Sequence, residues 1–181
     1  RDDRGALLGA LKIRPPPQLL LRATFSSASS TESVDAAPAP TAELLLYAAD
    51  RSQHVETLIR PALERGDWVI SDRFSGSTQA YQGYGRGLDR DLIVQLERIA
   101  TGGLQPDLTF WLELPLMESL RRRRGEVADR IEAEGQAFLA RVGQGFAEMA
   151  ERRDWVRVDG SGEPAAVSLV LEQGLLELLG E

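Results

Sequence analysis

From residue 41 onward, short apolar stretches alternate with longer segments whose apolar residues recur at helical spacing. The stretches "WVISD" (68–72), "DLTFWLEL" (107–114) and "WVRVDG" (155–160) each predict a buried strand. Helices are predicted before, between and after these strands. Strands that alternate with helices predict a parallel sheet with right-handed crossovers, so the fold class is α/β. In such sheets ligands lie at the carboxyl ends of the strands.

Two of the predicted helices have clear ends. The segment "TAELLLYAADRSQHVETLIRPALERG" begins with Thr41 as a predicted N-cap and stops at Gly66, and Pro61 is expected to kink or divide it. The segment "DRDLIVQLERIATGG" has Asp89 as its predicted N-cap and ends at Gly102. Between these two helices, the glycine-rich stretch after the first predicted strand is expected to form a loop.

Residues 1–40 differ from the rest of the chain in composition. They contain "RPPPQ", "SSASSTES" and "AAPAP", which are typical of a low-complexity or disordered lead segment. The sequence therefore predicts two parts, a lead segment at residues 1–40 and a domain at residues 41–181.

Composition excludes several classes of function. A net charge of −7 argues against a nucleic-acid or anionic-membrane partner, since those surfaces favour basic patches. No apolar run approaches the ~20 residues that span a bilayer. The absence of cysteine fits a cytoplasmic protein. With His54 as the only histidine, neither a histidine metal site nor a Ser-His-Asp triad is favoured.

Arginines occur at two places where phosphate chemistry would need them. Arg73 follows Asp72 at the end of a predicted strand, and residues 121–124 are four consecutive arginines. Arginine binds phosphate through two parallel hydrogen bonds, and phosphoryl transfer depends mainly on positioning and on charge neutralisation. Taken singly, each feature has a structural alternative, an ion pair in the first case and a solvated helix end in the second.

Four segments together resemble the thymidylate kinase family, which transfers a phosphoryl group from ATP to dTMP. These are "ELLLYAADRSQHVETLIRPAL", "VISDRFSGSTQAYQGYGRGLD", "PDLTFWLEL" and "RRGEVADRIE", in the family's order and spacing from about residue 41 to the C-terminus. The resemblance implies a three-layer parallel sheet of the nucleoside-monophosphate-kinase, P-loop NTPase type. It also implies dTMP and ATP with Mg²⁺ as ligands, dTDP as the product for DNA precursor synthesis, and a homodimer.

The resemblance assigns roles around the acceptor base. Tyr47 matches the ring that stacks on thymine, and Arg51 matches the arginine that hydrogen-bonds the base edge. Thr78 and Gln82 match positions that read thymine or line its pocket. Tyr81 is expected to pack near the sugar.

Phosphate-binding and catalytic roles follow from the same resemblance. Arg73 matches the ligand of the dTMP phosphate, and Asp72 matches the acid that organises the phosphate and Mg²⁺ region. Residues 121–134 resemble the mobile lid over ATP. Arg124 is expected to contact the transferring phosphoryl group, with Arg122 as the alternative.

The loop after the third predicted strand is expected near adenine, with Asp159 as its candidate for ATP binding.

One expected motif is missing, because GxxxxGK[ST] does not occur and the only lysine is Lys12 in "ALKIRPPP". We therefore expect a partial kinase domain without its central strand and phosphate loop, with residues 1–40 unrelated or frame-shifted.

Three functions remain open from the sequence. The first is dTMP phosphorylation, incomplete as the chain stands. The second is a non-catalytic remnant that binds dTMP or dimerises with an intact subunit. The third is a related deoxynucleoside kinase, which would accept thymidine in place of dTMP.

Overall fold

The computed structural model describes residues 38–122 and 134–180, which form helices and a small two-stranded parallel sheet. Two π-helical segments occur: the first, Val55–Ile59, joins α1 to α2, and the second, Gln79–Gly85, continues α3. In chain order the regular elements are α1 Pro40–His54, α2 Arg60–Glu64, α3 Ser75–Thr78, α4 Arg90–Thr101, β1 Phe110–Glu113, α5 Leu116–Arg122, α6 Gln136–Arg152, β2 Val156–Asp159 and α7 Pro164–Leu179.

Two of the predicted strands are confirmed as a parallel pair. Phe110 of β1 lies opposite Val156 of β2, and Leu112 lies opposite Val158. The chain between the strands passes through α5 and α6. Parallel strands need such a crossover, so the alternating pattern gave the correct local topology.

The predicted strand at residues 68–72 is wrong. This segment has no strand pairing, and Trp68 and Ile70 are 62% and 55% exposed. A strand is stable only when a neighbour accepts and donates its backbone hydrogen bonds. Within the described part of the chain, β1 and β2 pair only with each other.

The first predicted helix is confirmed in extent but not in its cap. It begins at Pro40, and the N-cap is Ala39, which makes no side-chain hydrogen bond, so Thr41 is not the cap. Proline suits the first helical position because its fixed φ is already helical. Pro61 divides the helix as expected, and the first π segment precedes it. Gly66, with φ of 79°, follows the end of α2.

The ends of α4 agree with the sequence prediction. Oδ1 of Asp89 accepts hydrogen bonds from the backbone N–H groups of Asp91, at 2.9 Å, and Leu92, at 3.2 Å. Gly102 ends the helix in the left-handed conformation, with φ of 61°. Local capping signals therefore fix this helix independently of its packing.

The stretch predicted to be a loop is helical, which corrects that expectation. It forms α3 and the second π segment, and its packing against α6 explains the difference. A Cβ atom at Gly85 would lie 2.6 Å from the Phe138 ring, and one at Gly145 would lie 2.6 Å from the Tyr84 ring. Glycine permits this close approach, and burial against α6 offsets its low helix propensity. The buried cluster between the two elements consists of Ala80, Phe138, Val142 and Met149.

The predicted lead segment lies outside the described residues, apart from residues 38–40. No helix in the described ranges is long and apolar enough to cross a membrane. The boundary between a lead segment and a domain at residue 41 remains a prediction.

Candidate functional site

Two polar contacts join α1 to the helix formed by α3 and the second π segment. Arg51 Nη2 donates to Thr78 Oγ1 at 2.8 Å, and Gln82 Nε2 donates to Glu43 Oε1 at 2.9 Å. Glu43, Tyr47 and Arg51 are spaced four residues apart, so they lie along one face of α1. Tyr47 therefore lies between the two contacts, one helical turn from each.

The Arg51 guanidinium contacts three side chains, one from α4, one from α3 and one from the N-cap residue of α3. Its Nε lies 3.1 Å from Oε2 of Glu97, which belongs to α4, and its Nη2 bonds to Thr78. The Phe74 ring centroid lies 5.1 Å from Cζ of Arg51, within cation–π range. The structure thus brings together Arg51 and Thr78, two of the residues that the resemblance assigned to the base, and adds Glu97, to which the sequence analysis gave no role.

Glu97 is a carboxylate with little exposure and a perturbed pKa. Its side chain is 4% exposed, and burial raises its pKa while the charge of Arg51 opposes that shift. Among the described residues, no well-aligned hydrogen bond reaches either of its oxygens. A sequence signal for this residue existed, because Glu97 falls on the same stripe of α4 as Ile93 and Ala100, which are buried.

Gln82 lies inside a polar network and not on an open surface. It is 2% exposed, and its amide shares the Glu43 carboxylate with Arg86. The Arg86 guanidinium donates to Glu134 as well, at 2.8 Å from Nη1 to Oε1. The second partner is Glu43, the first residue of the segment "ELLLYAADRSQHVETLIRPAL", to which the sequence analysis assigned no role.

Arg73 adopts an unusual backbone conformation next to Tyr81. Its φ is 73°, in the left-handed region that a residue with a side chain rarely adopts. Ser71 Oγ donates to the Arg73 carbonyl oxygen at 2.8 Å, and Cζ of Arg73 lies 5.3 Å from the Tyr81 ring centroid. Such strain costs of the order of 1 kcal/mol or more and is concentrated at functional sites. Asp72, beside it, is exposed.

Tyr47 and Tyr81 have different surroundings. Tyr47 is 40% exposed, so one face of α1 presents an aromatic ring to solvent. Tyr81 is partly buried, with its ring centroid 6.3 Å from that of Phe138 and 6.1 Å from that of Phe146. Only Tyr47 therefore offers an open ring for stacking.

Arg122 is bound to the turn that follows β2. Its Nη1 and Nη2 donate to the carbonyl oxygens of Gly160, at 3.0 Å, and Ser161, at 2.9 Å. Asp159 accepts hydrogen bonds from the backbone N–H and hydroxyl of Ser161, and these bonds lower its pKa. Arg122 and Asp159 thus both form hydrogen bonds with the turn that follows β2. Arg124 and most of the predicted lid lie outside the described residues.

The described residues provide no cluster of three or more histidine or carboxylate side chains that could hold a metal ion. A cleft of about 280 Å³ is lined in part by Gln79, Glu97, Arg98 and Arg153. None of the residues predicted to bind nucleotide lines this cleft. Because Arg153 donates to Gln79 across it at 2.8 Å, we interpret it as a packing gap between α4 and α6 and not as the site.

Comparison with known proteins identifies the class. The sequence model of the thymidylate kinase family matches residues 10–168. The chain is 73% identical over 144 residues to a thymidylate kinase of Parasynechococcus marenigrum (strain WH8102), covering 80% of this chain and 69% of the relative. It is 71% identical over 143 residues to a thymidylate kinase of Synechococcus sp. (strain CC9605), covering 79% and 68%. A thymidylate kinase of Prochlorococcus marinus (strain MIT 9313) is 64% identical over 146 residues, covering 81% and 68%.

These matches place the chain among the ATP-dependent nucleoside monophosphate kinases, which have the P-loop NTPase fold. Within that class, the chain belongs to the thymidylate kinase family. The resemblance given by the four sequence segments is confirmed. The family match begins at residue 10, upstream of the point where the resemblance in the sequence began.

Proposed function

We propose that the described residues form the acceptor side of an enzyme that transfers a phosphoryl group from ATP to dTMP, giving dTDP. The observation that carries this proposal is the pair of hydrogen bonds on either side of Tyr47, Arg51–Thr78 and Gln82–Glu43. These bonds gather side chains that belong to two separate family motifs.

The base would be bound between Tyr47 and Arg51. The exposed Tyr47 ring offers a face for stacking, which contributes about 0.5–1.5 kcal/mol beyond burial. Arg51 can donate a hydrogen bond to a thymine carbonyl, while Thr78 fixes one edge of its guanidinium. Gln82, almost fully buried, would shape the pocket wall through its bond to Glu43 and not through an open amide.

The dTMP phosphate would be bound by Arg73. The left-handed backbone of Arg73 sets the direction of its Cα–Cβ bond, and contact with the Tyr81 ring restrains the guanidinium, so the strain would serve preorganisation. The Tyr81 ring lies under the guanidinium and would support it beside the sugar. Asp72, the exposed carboxylate next to this phosphate ligand, would help to organise the phosphate and the Mg²⁺ that enters with ATP.

The donor side of the proposal involves the lid arginines. Arg124 would stabilise the charge on the transferring phosphoryl group, and Arg122, with Asp159, would border the ATP site. Arginines that neutralise this charge provide most of the catalysis in phosphoryl transfer, which has little covalent chemistry for the protein to perform.

A homodimer and a cytoplasmic location also belong to the proposal. The outer face of α1 has exposed leucines, Leu45 at 53% and Leu46 at 54%. Exposed apolar residues on one helix favour contact with a second copy. Cross-linking of the full chain would test the dimer.

The function is tested by incubating the full chain with ATP, Mg²⁺ and dTMP and measuring ADP and dTDP together. We expect equal amounts of both products, and we expect Arg73→Ala to reduce their formation at least about tenfold, because it removes a charge-assisted phosphate contact. Arg65→Ala is the matched control, an exposed arginine paired with Asp67 outside the site.

Two other outcomes decide against the proposal. Binding of dTMP without any dTDP would support a non-catalytic dTMP-binding chain, the second function that the sequence leaves open. Thymidine accepted in preference to dTMP would support a deoxynucleoside kinase.

A further inference from the structure

We propose that Glu97 is a positioning residue that sets the direction and the charge of Arg51 for reading a neutral base carbonyl. This inference rests on the proposed function, because Arg51 is taken as the arginine that faces the acceptor base. Glu97 belongs to α4 and lies in none of the sequence segments that indicated the family.

The contacts of Arg51 leave one edge of its guanidinium for a ligand. Nε faces Glu97 at 3.1 Å, and Nη2 donates to Thr78 at 2.8 Å. Among the described residues, no hydrogen bond or ion pair uses Nη1. Because a guanidinium is planar and rigid, fixing Nε and Nη2 also fixes the direction in which Nη1 donates.

Glu97 is costly to bury, and the polar groups that stabilise its charge are Arg51 and Thr78, the two side chains that meet at the proposed base site. Its side chain is 4% exposed and that of Arg51 is 14% exposed. The described residues give neither Glu97 oxygen a well-aligned hydrogen bond. A buried ion pair adds stability only when its geometry and remaining hydrogen bonds are good, so stability alone is a weak reason for this one.

The charge of Glu97 also decides what Arg51 can bind. An unpaired buried arginine attracts anions, including the phosphate groups of both substrates. With a carboxylate 3.1 Å away, the positive charge is balanced locally, and a neutral carbonyl becomes the fitting partner for Nη1. Glu97 would therefore keep phosphate away from the base pocket while it orients the donor.

The experiment compares two ligands by calorimetry, dTMP and 2-deoxyribose 5-phosphate, which lacks the base. In the full chain, Glu97→Gln keeps the size of the side chain and removes its charge. We expect this substitution to weaken dTMP binding about tenfold, as for one disturbed charge-assisted hydrogen bond from Arg51 to the base carbonyl, and to leave or strengthen binding of the sugar phosphate.

A double-mutant cycle separates positioning from packing. In an Arg51→Met background, Glu97→Gln should cause no further loss of dTMP affinity, because the group it positions is gone. Thr101→Val is the matched control. Thr101 is fully buried in the same helix and its hydroxyl has no partner among the described residues, so this change should leave dTMP affinity unaltered.

Each remaining outcome has one meaning. Equal weakening of both ligands by Glu97→Gln, or unchanged dTMP binding, would overturn the inference. Failure of the unsubstituted chain to bind dTMP would overturn the proposed function and the inference with it. If Glu97→Gln does not fold, Glu97→Asp, which keeps the charge but withdraws the carboxylate by one methylene, should weaken dTMP binding and leave binding of the sugar phosphate unchanged.

Discussion

Arg86 donates to both carboxylate oxygens of Glu43, at 2.8 Å from Nε to Oε1 and 3.1 Å from Nη2 to Oε2. The two side chains are 11% and 6% exposed. Because Glu43 begins α1 and Arg86 follows the second π segment, this bidentate pair sets the relative position of the two helices that form the proposed acceptor site. Gln82 shares the same carboxylate.

Glu43→Gln should destabilise the fold by about 3–5 kcal/mol, because it removes the buried, bidentate partner of the Arg86 guanidinium and leaves the more exposed Glu134 as its counter-charge. Glu56→Gln is the matched control, since Glu56 forms an exposed pair with Arg60 at 3.3 Å. That change should cost about 0.3–0.5 kcal/mol. Urea denaturation measures the free energy of unfolding of both variants. Equal decreases in the two variants would show that the Glu43–Arg86 pair stabilises the fold no more than an exposed ion pair does.

Gly85→Ala should destabilise the fold by about 1–3 kcal/mol through overpacking. The new methyl group would lie 2.6 Å from Phe138 and 2.9 Å from Val142, both buried side chains of α6. Gly143→Ala, also on α6 but with open space around the added Cβ, should stabilise the helix by about 0.5–1 kcal/mol. The midpoint temperature of thermal unfolding should therefore fall for Gly85→Ala and rise for Gly143→Ala.

Comparison of Arg73→Gly with Arg73→Ala should separate the backbone strain at residue 73 from the contribution of its guanidinium to dTMP binding. Both variants should lose dTMP affinity, since both remove the guanidinium. Glycine accepts φ of 73° without strain, so Arg73→Gly should be more stable than Arg73→Ala by about 1 kcal/mol. Denaturation and dTMP titration of the same two proteins check this, and an Arg73→Ala variant as stable as Arg73→Gly would show that the backbone is not strained.

Stability should depend on pH through Glu97. Burial raises its pKa in the folded state above the ordinary value of 4.5, against the opposing charge of Arg51 on α1. The folded state then retains a proton that the unfolded state has lost. The free energy by which this proton stabilises the folded state is fully present below pH 4.5. It is lost as the pH rises through the pKa that Glu97 has in the folded state.

The measurement for this prediction is the free energy of unfolding of the unsubstituted chain and of Glu97→Gln, from about pH 4 to about pH 8. Glutamine cannot titrate, so the stability of the variant relative to the unsubstituted chain should increase with pH. Two parallel curves would show that Glu97 titrates normally.

The elements predicted correctly from the sequence are those with local signals. Asp89 and Gly102 fix the ends of α4 by capping, and β1 and β2 were recognised from short apolar runs. Residues 68–72 show the limit of that reasoning, because an apolar run indicates burial but cannot supply a pairing neighbour. The glycine-rich stretch was taken for a loop because its helical form depends on packing against α6, which is distant in sequence.

The residues of the candidate site also fall into two groups, those with a local sequence motif and those that only the fold brings to the site. Arg51 and Thr78 were selected from motifs, and a hydrogen bond joins them in the structure, while their roles in binding stay predictions. Glu97 could not be placed beside Arg51 from the sequence, since 46 positions separate them along the chain and only the fold joins α4 to α1. A charged residue on the buried stripe of α4 was the one available signal.

The most direct test of the account is a calorimetric titration of the full chain with dTMP, with thymidine as the matched ligand that lacks the phosphate. We predict that dTMP binds more tightly than thymidine and that Arg73→Ala weakens dTMP binding at least about tenfold while thymidine binding stays the same. Equal affinities for the two ligands, or an Arg73→Ala variant that binds dTMP as tightly as the unsubstituted chain, would contradict the proposed acceptor site.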